Sequence, residues 1–189
     1  MKNKKRILAM VLVAVFVFAL AGCGNKTETK VVKYEGNEEK AGIFEKMETV
    51  DIEGNPVDHT IFAENKLTLV NVWNTGCPPC INEIPELDQL NEEMKEQGVA
   101  VKGLVYEMKP GLTDKDLEAV NEILASAGSS YQHLTVSQDM IETKEIQSLV
   151  AFPTTFFVDS EGKIVGSVKG ANDLEGWKEI VAQILSEME

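Results

Sequence analysis

Positive charge is what this chain has least of. Against 31 Asp and Glu it carries 18 Lys and Arg, for a formal charge of −13. Four of those basic residues, Lys2, Lys4, Lys5 and Arg6, crowd the N-terminus, so the remainder carries −17. So acidic a surface repels phosphate backbones and anionic headgroups, which argues against nucleic acid and against electrostatic attachment to lipid. Solubility is the plain reading of that charge. Histidine is nearly missing: only His59 and His133 are present. A structural zinc ion usually takes four ligands, and neither histidine is spaced like a ligand, so no metal is expected. The methionines follow apolar faces and suggest no copper site. No apolar run reaches the roughly 20 residues of a membrane-spanning helix. There is no internal repeat and no sign of a second domain.

What is there begins with an address. A basic n-region precedes an apolar run of 14 residues, Ile7 to Leu20, which fits a signal peptide over residues 1–22. The run ends in Leu20-Ala21-Gly22-Cys23, which resembles the lipobox of bacterial lipoproteins. That resemblance implies cleavage before Cys23 and lipidation of its thiol. The alternative is an uncleaved anchor helix with an incidental cysteine; the small residues before the cleavage site favour the signal peptide. Three cysteines in an exported protein would leave an odd thiol. With Cys23 as a thioether, Cys77 and Cys80 remain as one pair, in a compartment where disulfides persist.

That pair is the main chemical feature. Cys77-Pro78-Pro79-Cys80 follows an apolar run, Leu67 to Trp73, and opens a segment with helical periodicity. The first thiol then sits at a helix N-terminus, where the dipole and free N–H groups favour a thiolate. A thiolate with a second thiol one turn away can attack a disulfide and then resolve the mixed intermediate. A purely structural role is weak, because closing a two-residue loop stabilises little. Pro78 and Pro79 remove two N–H donors and fix φ. They should tune the potential, in a direction that sequence does not give.

The remaining pattern is α/β. Residues 23–43 read as the lipidated cysteine and a flexible polar tether, with one domain over 44–189. A short strand is expected over Thr49–Ile52, then a turn at Glu53-Gly54-Asn55-Pro56. Leu67–Trp73 is apolar enough for a central strand. Ile81, Ile84, Leu87, Leu90 and Met94 mark a helix over Cys80–Gln97, stopped by Gly98 and kinked at Pro85. Val99–Tyr106 predicts a strand, Thr113–Ala127 a capped helix, Gln132–Val136 a weak strand and Glu142–Val150 a short helix. Thr154–Val158 and Lys163–Lys169 form a hairpin, and Leu174–Met188 a closing helix. Strands alternating with helices give a layered sheet with helices on both faces.

Asn71-Val72-Trp73-Asn74-Thr75-Gly76-Cys77-Pro78-Pro79-Cys80, followed by Glu83, Pro85 and Leu87, resembles the TlpA/ResA-like group of thioredoxin-fold proteins. Ala151-Phe152-Pro153-Thr154-Thr155 resembles the segment that carries their cis-proline. The two motifs lie more than seventy residues apart, in the family's order, and the likeness spans about Val50 to Ser186. It implies a thioredoxin-like α/β fold with a central mixed β-sheet flanked by helices on both faces. It implies Cys77 as the exposed nucleophile, Cys80 as the buried resolving thiol, and Trp73, Gly76, Pro78 and Pro79 as the active-site loop. Pro153 would be cis, with Phe152 offering main-chain hydrogen bonds to a substrate strand; the alternative is a trans-proline opening an edge strand. Glu83, one helical turn beyond Cys80, would move the proton that exchange requires; the alternative is a solvated helix glutamate. Classical thioredoxins carry an aspartate where this chain has Asn71, which cannot titrate. Gly76 departs from the aromatic residue usual in the family.

The implied activity is disulfide reduction at the outer face of the cell membrane by a lipid-anchored enzyme that needs no cofactor beyond the Cys77–Cys80 pair. Its implied partners are disulfide-containing proteins, with apocytochrome c or a methionine sulfoxide reductase as candidates, and a membrane electron donor of the CcdA/DsbD type. Competing readings are a disulfide donor, a thiol peroxidase and a non-enzymatic lipoprotein adaptor using the cis-proline groove. The peroxidase pattern Pro-x-x-x-Thr/Ser-x-x-Cys is absent, since Asn74 and Cys77 lie three residues before Cys77 and Cys80.

Overall fold

The computed structural model describes residues 31–33 and 42–188. The expected signal peptide, Cys23 and most of the tether lie outside the described residues. Within them the chain forms β1 (Val32–Lys33), β2 (Glu48–Val50), β3 (Pro56–Asp58), β4 (Leu67–Trp73), α1 (Pro78–Met94), β5 (Val99–Val105), α2 (Asp114–Ala127), β6 (His133–Thr135), α3 (Gln138–Ile141), α4 (Lys144–Gln147), β7 (Thr154–Asp159), β8 (Ile164–Lys169) and α5 (Leu174–Met188).

Six strands make one mixed sheet in the order β1-β8-β7-β4-β5-β6. β4, β5 and β6 run parallel, whereas β7 is antiparallel to β4 and β8 to β7. β4 is buried at all seven positions, as its apolar run requires of a central strand. Its side chains alternate between two cores. Leu67, Leu69 and Trp73 face α1, α2 and α5, while Val70 and Val72 face Phe44, Phe62, Met140 and Ile146. The face opposite the long helices is thus covered by α3, α4 and the segment leading to β4. No helix among the described residues is long and apolar enough to cross a membrane.

Four differences from the sequence expectations have local causes. β1 falls within the segment read as a tether: Val32 pairs with Ser167 and Lys33 with Gly166, closing an edge that β8 would otherwise leave open. β2 turns back into β3, because Asp51 Oδ1 accepts from the backbone N–H groups of Glu53 (3.0 Å) and Asn55 (2.9 Å) and organises the turn. α1 begins at Pro78 rather than Cys80, since proline at the first helical positions forfeits only N–H groups that lack partners anyway; it runs on through Pro85. The helix expected over Glu142–Val150 shortens to α4, and a separate turn of helix that the sequence did not announce, α3, precedes it. Thr143 both ends α3, donating to the Met140 carbonyl (2.6 Å), and caps α4.

Candidate active site

Cys77 ends the loop after β4 and is the N-cap of α1. Its Sγ accepts the backbone N–H of Cys80 at 3.3 Å and is joined to Cys80 Sγ in a disulfide with a Cα–Cα distance of 5.3 Å. Cys77 keeps 7 % of its surface and Cys80 none. The family likeness implies an exposed Cys77, whereas both cysteines are buried here, Cys80 the more completely. In the oxidised form the Cys77 sulfur turns onto Cys80 in the apolar core, and Gly76, Pro78 and Pro79 provide the exposed rim.

The loop before the pair is held from two sides. Asn74 Oδ1 accepts Gly76 N–H (3.0 Å), and Glu107 Oε1, just beyond β5, accepts Thr75 N–H (2.7 Å). Trp73 lies fully buried beneath, its indole N–H directed at Nδ1 of His133 (3.3 Å). An indole nitrogen only donates, so that imidazole carries its proton on Nε2, toward the Ser129 hydroxyl (2.9 Å). Burial pushes the His133 pKa down to about 3, so it remains a neutral packing residue. His59 is exposed.

Glu83 sits one turn past Cys80, 2 % exposed. Oε1 accepts from Asn71 Nδ2 (2.8 Å), and Oε2 accepts the backbone N–H of Asn172 (3.2 Å). Burial raises its pKa to about 7, against smaller opposing effects from Asn71, the Asn172 N–H and the indole of Trp177, which lies outside hydrogen-bonding geometry. A carboxyl that exchanges its proton near neutrality can serve the thiols above it in either direction.

The Phe152–Pro153 peptide is cis. Pro153 is buried, and its carbonyl accepts from Gly170 N–H (2.9 Å). Phe152 is half-buried against the ring of Tyr106 (6.3 Å), and its own backbone makes no hydrogen bond within the described residues. The two motifs, distant in sequence, thereby meet where β4 and β7 lie side by side. Among the described residues no cluster of His, Cys, Asp or Glu could hold a metal ion. Asn71, Thr155, Asn172, Trp177 and Glu107 complete the surroundings, and sequence reasoning gave none of them a contact. The available clue was strand parity: Asn71 shares its side of β4 with Leu69 and Trp73, the side α1 covers.

The Redoxin family matches residues 36–184. The chain is 25 % identical over 185 residues to the thiol-disulfide oxidoreductase ResA of Bacillus thuringiensis subsp. konkukian, spanning 96 % of this chain and 98 % of that one. It is 31 % identical over 126 residues to the thiol:disulfide interchange protein DsbE of Pseudomonas aeruginosa, spanning 66 % of this chain and 63 % of that one. Among solved structures, a thiol:disulfide interchange protein of the thioredoxin family from Chlorobium tepidum TLS superposes with a TM-score of 0.60 at 22 % identity. That match covers 74 % of this chain and 93 % of the other.

Proposed function

The chain belongs to the Redoxin family and is a thiol–disulfide oxidoreductase of the ResA/DsbE type, and from that premise we propose that it reduces protein disulfides through Cys77, Cys80 and Glu83. The reduced enzyme attacks with the Cys77 thiolate. The target S–S bond breaks, a Cys77–target disulfide forms, and the departing target thiolate takes up a proton. Cys80 then gives its proton to the Glu83 carboxylate and attacks Cys77 Sγ; the second target sulfur departs as a thiolate and takes that proton back from Glu83, leaving the Cys77–Cys80 disulfide and an ionised Glu83. Two electrons and two protons pass from the dithiol to the target. Phe152 and Pro153 would hold the target as an added extended strand.

One observation favours the reducing direction. Among the described residues Cys77 Sγ takes a single hydrogen bond, from Cys80 N–H, and none from a cationic group. Pro78 and Pro79 contribute no N–H. A strongly oxidising pair has a stabilised reduced thiolate, as in DsbA. Here that stabilisation is sparse, so the disulfide is the favoured product and the dithiol a good electron source.

The enzyme would act outside the cytoplasm, held at the membrane by lipid on Cys23 and re-reduced by a membrane donor of the CcdA/DsbD type. Apocytochrome c or a methionine sulfoxide reductase are candidate targets. Cys80→Ser tests the chemistry: it should accumulate mixed disulfides with target proteins on non-reducing gels, and Cys77→Ser should not. Equal trapping by both variants would remove Cys77 as nucleophile. Labelling with a fatty-acid analogue, lost in Cys23→Ala, tests the anchor.

A further inference from the structure

Asn71 occupies the middle of β4, fully buried in a strand otherwise almost wholly apolar. Its amide nitrogen spends both hydrogens, one on Glu83 Oε1 (2.8 Å) and one on Thr155 Oγ1 (3.0 Å). A carboxylate only accepts, so the amide end that faces it is the N–H end. The other end, Oδ1, is buried with no hydrogen-bond partner among the described residues. An apolar residue of similar volume would pack at this position without an orphaned carbonyl. Packing therefore does not account for an amide here, but a directed donor does. Thr155 lies directly across the β4–β7 ladder from Asn71, two residues beyond Pro153, and fixes the amide plane.

We propose that Asn71 is a positioning residue: braced by Thr155, its amide orients Glu83 and sets the pH at which that carboxyl gives its proton to, or takes it from, the dithiol. The inference rests on the proposed proton role of Glu83. Other groups facing the carboxyl do not replace this donor. The thiols of Cys77 and Cys80 lie on its own helix. Tyr131, from the segment before β6, feels the Glu83 charge, and its buried hydroxyl makes no hydrogen bond among the described residues. Glu86 is turned to the N–H of Leu174 (3.1 Å) and Asp173 to that of Gly176 (2.8 Å). Beyond burial, what acts on Glu83 is hydrogen bonding, with no ion pair.

The test is a carbon-13 NMR titration of the Glu83 carboxyl in the oxidised protein, alongside the pH profile of disulfide exchange by the reduced protein. Asn71→Leu removes the donor and should move the Glu83 midpoint up by about one pH unit or more, because a hydrogen bond to a charged group is lost. Thr155→Val keeps the amide but frees it, and should move the midpoint the same way by less. Asn71→Asp should restore a polar partner yet raise the Glu83 midpoint further, since two adjacent carboxyls titrate as a pair. In a Glu83→Gln background, adding Asn71→Leu should leave the exchange profile unchanged. A folded Asn71→Leu or, should that variant not fold, a Thr155→Val protein whose Glu83 titrates at the wild-type midpoint overturns the inference. If instead Glu83→Gln exchanges with the wild-type pH profile, the proton role fails. The NMR midpoint then still decides whether Asn71 orients the carboxyl.

Discussion

Replacing Glu83 by glutamine should flatten the pH dependence of stability over the neutral range. The carboxyl titrates at 4.5 in its reference state and at about 7 in the folded protein. The folded state therefore holds the proton more tightly than the unfolded chain. As pH rises through 4.5, the unfolded chain ionises first and stability falls. The loss is complete once pH exceeds 7, because both states are then ionised. A midpoint that differs by one pH unit between the two states is worth about 1.4 kcal/mol, so between about pH 5 and pH 8 the wild-type protein should lose about 2–3 kcal/mol through this one group. Glutamine carries no proton to lose. It can still accept from Asn71, while its amide faces the Asn172 N–H less well; that mismatch is a constant offset, independent of pH. Carboxylates held by their own hydrogen bonds, such as Asp51, titrate alike in both proteins and cancel in the difference. Urea unfolding of the oxidised proteins, followed by tryptophan fluorescence at intervals across that range, measures it directly. The two stability curves should diverge with increasing pH, with the variant gaining relative to the wild type. Parallel curves would refute the burial of an ionisable carboxyl at this position and, with it, the proton role.

Other perturbations probe the frame around the site. Gly103→Ala places a Cβ 2.0 Å from His133 Nδ1 and 2.6 Å from Cε1, so β5 and the buried imidazole cannot both stay in place. Overpacking of this kind costs about 1–3 kcal/mol, and calorimetry should show Tm lower by about 2–12 °C; an unchanged Tm would contradict the packing. Thr113→Ala removes the hydroxyl of a capping box with Asp116 and should cost about 1 kcal/mol in urea unfolding, without affecting exchange activity. Glu107→Ala frees the Thr75 N–H and should loosen the loop before Cys77, seen as faster hydrogen exchange at 74–76 with global stability nearly unchanged.

Much of the frame was legible because its signals are local. The bounds of β4 and α5 are set by an unbroken apolar run and by an amphipathic repeat, and both match the expected residues. Cys77, Cys80 and Pro153 stand out because few residue types serve in such motifs. Elements defined by long-range pairing were not legible. β1 exists only by virtue of β8, and nothing in Val32-Lys33 itself announces a strand. α3 is too short to show an apolar repeat, and the helix expected from Glu142 starts only at Lys144, where Thr143 caps it. The site was legible in its chemistry and silent in its support. Asn71 read as a residue that cannot titrate, and only the fold turns its amide toward a carboxyl twelve residues away. Asn172 acts through a backbone N–H, to which side-chain patterns give no access.

The reduction potential of the Cys77–Cys80 pair tests the reductant assignment most directly, measured in glutathione or dithiothreitol buffers at neutral pH. With one N–H donor and no cationic group at Cys77 Sγ among the described residues of the oxidised protein, the value should lie near or below that of thioredoxin, about −270 mV. A value near that of DsbA, about −120 mV, would contradict it and make the protein a disulfide donor.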